Sequence, residues 1–528
     1  MKYTWRVVLV ALLVLMGLLG AVPALADNAP AGTVETGLLW GEGINSGSSH
    51  NSFHAQGGDW VFYVDHNAGN TSLYDVVYEV SFDHGTTWTK YVVVSATDTV
   101  FRDLAVWYEP ASGNVSYVRA ATELAAFFVK YREGTPNANG TITWAVAEQY
   151  VDASAGNIAN VAHCVDELGV PWAAWTENVG GNYTPMAECS STTGGLWTER
   201  VGSHKEDFVN ATAGNITCYY VSLTPVQWAP YPNVQLAWTE EGVAGPLDNL
   251  AGIQASFGNT TAWSPVETPV PVDLNGLNGT LIYLESAFTF YDPGGASLVG
   301  FYTDRGGNLT RISRTTVQQW GDQAKVTQLA PSAVPDSWWF PSLAGYQQQA
   351  GGEDLLLVLH DMYYVYYMKY HYLTSTWDGI PTAIWGVPAV GPGEIHVIMW
   401  ANVQYKFGSA VGFPWMWGNI SFIPNGPWPE GTLQYWWMDS AALAAGELQQ
   451  GYYAHVGAEA GVIEGVQVGI GLISLIYVLV YAMAAIVLLL VLSMVGTGSL
   501  TVTIILAAIM IVLGTVGVQM ILGVIASW

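Results

Sequence analysis

Between residues 27 and 440 short apolar stretches alternate with polar breaks, and the stretches have the length and make-up of strands. Residues 76–82 (VVYEVSF) and 88–94 (WTKYVVV) are rich in β-branched and aromatic side chains, which suit a half-buried pleated surface. Residues 161–166, a turn at Leu168-Gly169, and Pro171-Trp172-Ala173-Ala174-Trp175-Thr176-Glu177 read as an inner strand pair. Residues 233–240 (NVQLAWTE) and 296–304 (ASLVGFYTD) repeat that character. A helical reading fails, because Gly, Pro and Asn punctuate the pattern every 8 to 12 residues. Two later segments differ in kind: residues 468–495 and 500–528 contain no charge at all. As a helix the first would span roughly 40 Å, more than the ~30 Å hydrocarbon core of a bilayer. The short linker Gly496-Thr497-Gly498-Ser499 joins the two into a hairpin.

The strand pattern repeats. Trp88, Trp144, Trp197, Trp263, Trp320 and Trp377 fall 56, 53, 66, 57 and 57 residues apart, close to the size of a four-stranded blade with its loops. Each sits in a short outer-strand candidate, such as Gly195-Leu196-Trp197-Thr198-Glu199. Blades are expected near 50–95, 100–150, 155–203, 213–268, 284–330 and 338–386, and further strands fill 393–440. The expected fold is all-β, a β-propeller of six or seven four-stranded blades, seven when 393–440 is counted. A C-terminal transmembrane α-helical hairpin follows it. The strand around Leu38-Leu39-Trp40 could close the ring as an outer strand of the last blade, removing exposed edges. A β-sandwich pair or a β-helix is the competing architecture.

The ends set the expected compartment. Lys2 and Arg6, the apolar run 7–22 and Ala24-Leu25-Ala26 form a secretory signal pattern, so residues 1–26 are expected to be removed. The ectodomain is then 27–440, an Ala-rich stalk 441–467, and the hairpin 468–528, with spans 468–495 and 500–526. Its two ends face outside. The net charge of −27 arises from only 15 Lys and Arg, so nucleic acid is excluded as a partner. The expected partners are the membrane and a glycan or surface-protein ligand, and the hairpin offers a surface for oligomerisation. Three cysteines are too few for a disulfide scaffold; Cys164 and Cys189 lie in neighbouring strands and either pair or remain buried thiols. Asn70, Asn114, Asn139, Asn182, Asn210, Asn215, Asn259, Asn278, Asn308 and Asn419 each begin a glycosylation sequon. Sequons, few cations and few cysteines together resemble an archaeal surface glycoprotein.

Ser81-Phe82-Asp83-His84-Gly85-Thr86-Thr87-Trp88 matches the Asp-box at every specified position: Ser81, Asp83, Gly85, Thr87 and Trp88. The segment therefore resembles an Asp-box (BNR-type, sialidase-like) β-propeller repeat. The resemblance implies a turn between the two outer strands of a blade, with Asp83 accepting backbone N–H bonds and Trp88 buried against the blade. It also brings sialidase chemistry into question: three arginines on the substrate carboxylate, a Tyr nucleophile with a Glu, and an Asp acid/base. The first such arginine belongs to a Phe-Arg-Ile-Pro motif ahead of the first box. Here no Arg lies between Asp27 and Trp88; the first is Arg102, and Arg119, Arg132, Arg200, Arg305, Arg311 and Arg314 stand in other contexts.

Other chemistry finds no pattern. His50 and His54 are four apart in a loop-to-strand region, and His360 and His371 flank a Tyr-rich tract, so no metal or cofactor is expected. No nucleophile elbow or phosphate-binding Gly motif occurs, and no catalytic residue is assigned. Trp338-Trp339, residues 415–417 and Trp436-Trp437 are candidates for stacking on sugars or proteins. The reading is an outward-facing, glycosylated propeller anchored in the plasma membrane for binding or adhesion. A surface-anchored sialidase-like hydrolase and an archaeal virus envelope spike are the alternatives.

Overall fold

Every described element is a strand. The computed structural model describes residues 32–38, 50–98, 103–123, 126–145, 147–154, 156–197, 216–226, 233–242, 251–270, 288–293, 297–303, 309–315, 320–325, 340–347, 353–360, 364–371, 376–377, 382–386, 396–401, 403–407, 410–419 and 431–439. All belong to one unit, Met1–Ala458. The expected leader (1–26), stalk (441–467) and hairpin (468–528) lie outside them. Among the described residues no helix is long and apolar enough to cross a membrane.

The strands form successive antiparallel meanders. The first sheet runs Ser52–Ala55, Gly58–Asn67, Asn70–Ser81, Thr89–Asp98. The second runs Leu104–Glu109, Asn114–Glu123, Ala126–Pro136, Gln149–Ser154, with Ile142–Trp144 also on its third strand. The third is Ile158–Val165, Pro171–Val179, Asn182–Cys189. The fourth is Ile216–Pro225, Val234–Gly242, Ala251–Gly258, Glu267–Val270, and the fifth Phe288–Tyr291, Ser297–Thr303, Leu309–Thr315, Trp320–Lys325. The sixth is Phe340–Gln347, Glu353–His360, Tyr364–His371, with Thr376–Trp377 and Thr382–Gly386 on its third strand. The closing sheet is His396–Ala401, Ala410–Asn419, Gly431–Asp439, and then Gly32–Leu38 from the other end of the chain. Gly32 registers with Tyr435 and Leu38 with Gly431. The closing strand thus ends at Leu38, the first residue of the expected Leu38-Leu39-Trp40 stretch. Sheets of this connectivity, closed by a strand from the opposite terminus, have the topology of a β-propeller.

Apolar cores form between the faces of consecutive sheets. Phe53, Trp60, Phe62 and Tyr78 of the first pack with Val106 and Tyr117 of the second. Tyr131 meets Trp175 and Met186 across the next junction. Trp172 and Cys189 pack with Trp238, and Ile253 and Phe257 with Phe290 and Ile312. Phe301 packs edge-on against Tyr370 at 5.7 Å. Leu356 and Val365 join Phe413, Trp415 and Trp436. Finally Leu38, Leu433 and Tyr435 pack on Val61 and Tyr63 of the first sheet, which completes the circuit.

The inner strands converge on one segment that the sequence pattern left unassigned, Val403-Gln404-Tyr405-Lys406-Phe407. The Val403 carbonyl lies 2.5 Å from His50 Nδ1, and Gln404 Oε1 accepts from His54 N at 3.0 Å. The Tyr405 hydroxyl accepts from Asp292 N at 3.2 Å and donates to the Pro225 carbonyl at 3.4 Å. Its ring meets His50, Trp107 and Tyr291 at 6.0, 4.9 and 4.6 Å. Phe407 pairs in parallel with Tyr346 of the sixth sheet. One connection therefore touches the first, second, fourth, fifth and sixth sheets.

Of the two alternatives for the cysteines, the described structure has the buried thiols. Cys164, Cys189 and Cys218 are free and buried. Cys164 and Cys189 register with Trp172 from opposite sides. Two strand spacings, about 10 Å, separate them, beyond the ~7 Å Cα reach of a disulfide.

Leu38 is completely buried at the closing seam. Leu38→Ala should lower stability by about 2–5 kcal/mol in denaturant unfolding. An unchanged midpoint would show that the seam does not hold the fold.

Candidate functional site

The residues of the Ser81–Trp88 turn do local work. It joins the third and fourth strands of the first sheet. Asp83 Oδ1 accepts from Thr87 N and Ser81 Oγ at 2.8 Å each, and Oδ2 accepts from Thr87 Oγ1 at 2.7 Å. Ser81 Oγ in turn accepts from Gly85 N at 2.7 Å, and Trp88 Nε1 donates to the Gly85 carbonyl at 2.9 Å. Gly85 adopts φ +88°, and His84 before it +57°, so the reversal needs a left-handed pair. Thr87, then Ser81, hold the Asp83 carboxyl down to about 2, so it stays an acceptor at neutral pH.

The other candidates disperse. Asn139 and Asn259 lie in turns where their Oδ1 atoms accept from Thr141 and Thr261. Asn114 Nδ2 donates to Glu133 Oε1 at 2.6 Å. Asn70 and Asn182 begin strands, Asn419 ends one, and Asn210, Asn215, Asn278 and Asn308 lie outside the described residues. Trp415, Met416 and Trp436 are buried, Trp417 and Trp437 half-buried, and Trp338-Trp339 are not described. Desolvation of the half-buried His50 ring lowers its pKa to about 4, against the raising effect of its bond with the Val403 carbonyl. His360 is buried within its strand, and no group of three metal-ligating side chains forms among the described residues. Arg119 and Arg314 are held by Glu148 and Glu267 in different sheets, so these two form no shared clamp.

Two polar clusters remain. At the seam, Tyr63 donates to Glu79, Lys90 bonds Glu35 of the closing strand, and Lys90 Nζ reaches Asp65 at 2.7 Å. Burial drives Glu79 up to about 7, against the lowering effect of its Tyr63 bond. This Tyr–Glu pair has the residue types of a glycosidase nucleophile, yet Tyr63 is wholly buried. Nearby, Asp59 accepts from His54 Nδ1 at 2.9 Å and from the Tyr435 hydroxyl at 3.1 Å, while His84 stacks on Trp437 at 3.6 Å. The Tyr435 and Trp437 contacts join the first sheet to the closing sheet.

The second cluster reaches solvent through Tyr150. Arg119, Lys130 and Tyr150 register side by side on adjacent strands of the second sheet. Arg119 makes a two-pronged pair with Glu148, at 2.7 and 2.9 Å, and Tyr117 donates to the same carboxylate at 2.8 Å. Lys130 bonds Glu123 and lies under the Tyr150 ring, 4.9 Å from its centre. The Tyr150 hydroxyl donates to Glu123 at 3.0 Å, and Phe128 packs on the ring at 5.1 Å. Tyr150 is 52% exposed above this buried base. Arg132, on the same strand as Lys130, reaches Val93 of the first sheet at 3.3 Å, which places the cluster beside the junction of the two sheets. For both Glu148 and Glu123 burial works to raise the pKa, but hydrogen bonds win and lower it: from Arg119 to Glu148, and from Lys130 to Glu123. Sequence reading missed this cluster. Its signal was three cations, Arg119, Lys130 and Arg132, inside two adjacent strands, NVSYVRAATE and AFFVKYREGTP.

No protein-family model matches the chain, and no curated protein does. Solved structures with a similar course include the polysaccharide lyase Uly1, at 8% identity and TM-score 0.42, covering 74% of this chain and 89% of that one. The BP39L lectin from Burkholderia pseudomallei matches at 13% and 0.42, covering 73% and 99%. Trypanosoma rangeli sialidase bound to the inhibitor DANA matches at 10% and 0.35, covering 63% and 54%. None of these likenesses assigns a role to a residue of this chain.

Glu79 binds its proton more tightly in the folded state than its ordinary value of 4.5 implies. Its contribution is full below about pH 4.5 and is lost as pH rises through about 7. Unfolding free energy across that window should therefore fall less in Glu79→Gln than in the parent. Identical slopes would rule this out.

Proposed function

We propose that the chain is a membrane-anchored, N-glycosylated extracellular protein whose seven sheets are seven propeller blades, displayed for binding a glycan or protein ligand. The carrying observation is Tyr150, an exposed aromatic ring held rigid by Lys130, Glu123 and Phe128. A ring fixed in this way stacks on an apolar sugar face or anchors a protein contact at little entropic cost. Glu123 and Tyr150 supply polar partners beside it. The leader, the sequons and the uncharged segment 468–528 support the anchored extracellular setting, in a cell membrane or in an archaeal virus envelope.

Binding without turnover is the reading favoured over a sialidase-like hydrolase. Hydrolysis by two carboxyls requires one to hold a proton near the working pH. Glu123 and Glu148 are both lowered, and the raised Glu79 is covered by the seam.

The full chain, purified in detergent, should retain particular glycans on an array. Tyr150→Ala should weaken that binding by about tenfold or more, equivalent to about 1.4 kcal/mol, with little change in melting temperature because the ring is exposed. Undiminished binding would exclude this surface. Sustained hydrolysis of aryl glycosides or sialosides, abolished by Glu123→Gln, would establish the enzyme instead.

A further inference from the structure

Four sequons are described through their third residue, and they fall into two kinds. Two run along strands. Asn114 opens the second strand of the second sheet, where its Oδ1 accepts from Thr135 Oγ1 at 2.9 Å and its Nδ2 donates to Glu133. Its third residue, Ser116, is buried against the third sheet, with Oγ 2.7 Å from His163 Nε2. Ser116 also registers with Trp107 on one side and Glu133 on the other. Asn182 opens the third strand of the third sheet, and its third residue, Thr184, is completely buried opposite Glu177.

The other two occupy turns that follow third strands, in the second and the fourth sheet. Asn139 Oδ1 accepts from Thr141 N at 3.1 Å and from Thr141 Oγ1 at 2.7 Å. Asn259 Oδ1 accepts from Thr261 N at 2.8 Å, Thr261 Oγ1 at 2.7 Å and Ala262 N at 2.8 Å. Two different sequences thus reach one arrangement. Backbone N–H donors demand an oxygen, which fixes each amide and turns its Nδ2 away from the loop. Neither Nδ2 bonds a protein group among the described residues. Asn139 and Thr261 are exposed, and Thr141 and Asn259 are half-buried.

Resting on the N-glycosylated reading, we propose that glycans are transferred to the folded chain at Asn139 and Asn259, and that Asn114 and Asn182 stay bare. In such a transfer Nδ2 displaces the phosphate from C1 of a sugar carried on a lipid phosphate. The Nδ2–C1 bond forms as the C1–O bond breaks. The lipid phosphate leaves, and one Nδ2 proton passes to a base of the transferring enzyme. That enzyme reads the hydroxyl of the third residue as well as the Asn. At the two turns both groups stand on a surface loop and are presented without opening a sheet. At Ser116 and Thr184 the hydroxyl is shut inside the fold. Presenting it means lifting a strand out of its ladder and, for Ser116, breaking the His163 bond. Lys130, the partner of Tyr150, lies six residues, roughly 20 Å, before the end of its strand at Pro136. Sugars on the Asn139 turn therefore start at the far end of that strand from the proposed ligand surface.

The test is glycopeptide mass spectrometry on the full chain, produced in a host that attaches N-glycans, with occupancy measured at each sequon. Asn139 and Asn259 should be occupied several-fold more than Asn114 and Asn182. Equal occupancy at the four sites would show that transfer precedes folding; it would overturn the proposal and leave the N-glycosylated reading standing. No glycan at any sequon would remove both. A second arm uses Leu38→Ala, a change outside every sequon that weakens the closing seam. Occupancy at Asn114 and Asn182 should then rise several-fold, whether the variant folds slowly or not at all. Unchanged occupancy there would show that burial does not protect these two sites, and would also overturn the proposal.

Discussion

A meander of antiparallel strands ends in two unpaired edges, and here each edge covers the other. Gly32–Leu38 pairs with Gly431–Asp439, so residues some 400 positions apart share one ladder. The rest of the structure depends on that pairing. It brings Glu35 to Lys90, Tyr435 to Asp59 and Trp437 to His84, and it places Val34 and Leu38 over Val61 and Tyr63. Without it the first sheet would expose a face built for burial, and the closing sheet would present a free edge prone to pairing with other chains.

Closing the circuit has a geometric consequence. The inner strands converge, and the space between them must be filled by something that satisfies backbone groups from several sheets at once. Tyr405 does this with a single hydroxyl that both accepts and donates, and with a ring among His50, Trp107 and Tyr291. Charge is kept out of the centre. Burial lowers His50 and His163 to about 4, and each is held by a backbone carbonyl, of Val403 and Trp172 respectively. Neutral groups with satisfied bonds avoid the desolvation penalty that an ion would carry there.

How far the sequence exposed this fold follows from what is local. Recurring Trp residues located the sheets because Trp88, Trp197 and Trp263 each close the turn that follows a third strand. Comparison of the turns extends the pattern to sites where the motif is hidden. Ser190 to Trp197 and Ser256 to Trp263 have the same span as Ser81 to Trp88. In the first of them Thr192 Oγ1 accepts from Leu196 N at 3.2 Å, as Asp83 accepts from Thr87 N. In the second the side chain of Asn259 takes over, accepting from Ala262 N at 2.8 Å. The shape of the turn persists while its acceptor changes from carboxylate to hydroxyl to amide, and a motif written in residue types cannot follow that substitution. The 403–407 segment was invisible for a different reason: its partners come from across the whole chain, and no periodicity encodes them. Cys164 and Cys189 stay apart because the strand between theirs in sequence also lies between them in the sheet.

The scarcity of cations ultimately constrains the surface chemistry as well. Lys90 is committed to Glu35 and Asp65, Arg119 to Glu148, Lys130 to Glu123, and Arg314 to Glu267. A guanidinium already in a two-pronged pair has no matching face left for a ligand carboxylate, and moving it would strand a half-buried glutamate. Around Tyr150 the charges are therefore balanced before any ligand arrives, within a protein of net charge −27. An acidic ligand gains no clamp there and meets long-range repulsion, weakened only beyond about 8 Å at physiological salt. A neutral ring stacked on Tyr150 meets neither obstacle, so the same composition that leaves the sheets few ions favours recognition through aromatic faces and hydrogen bonds over recognition through charge.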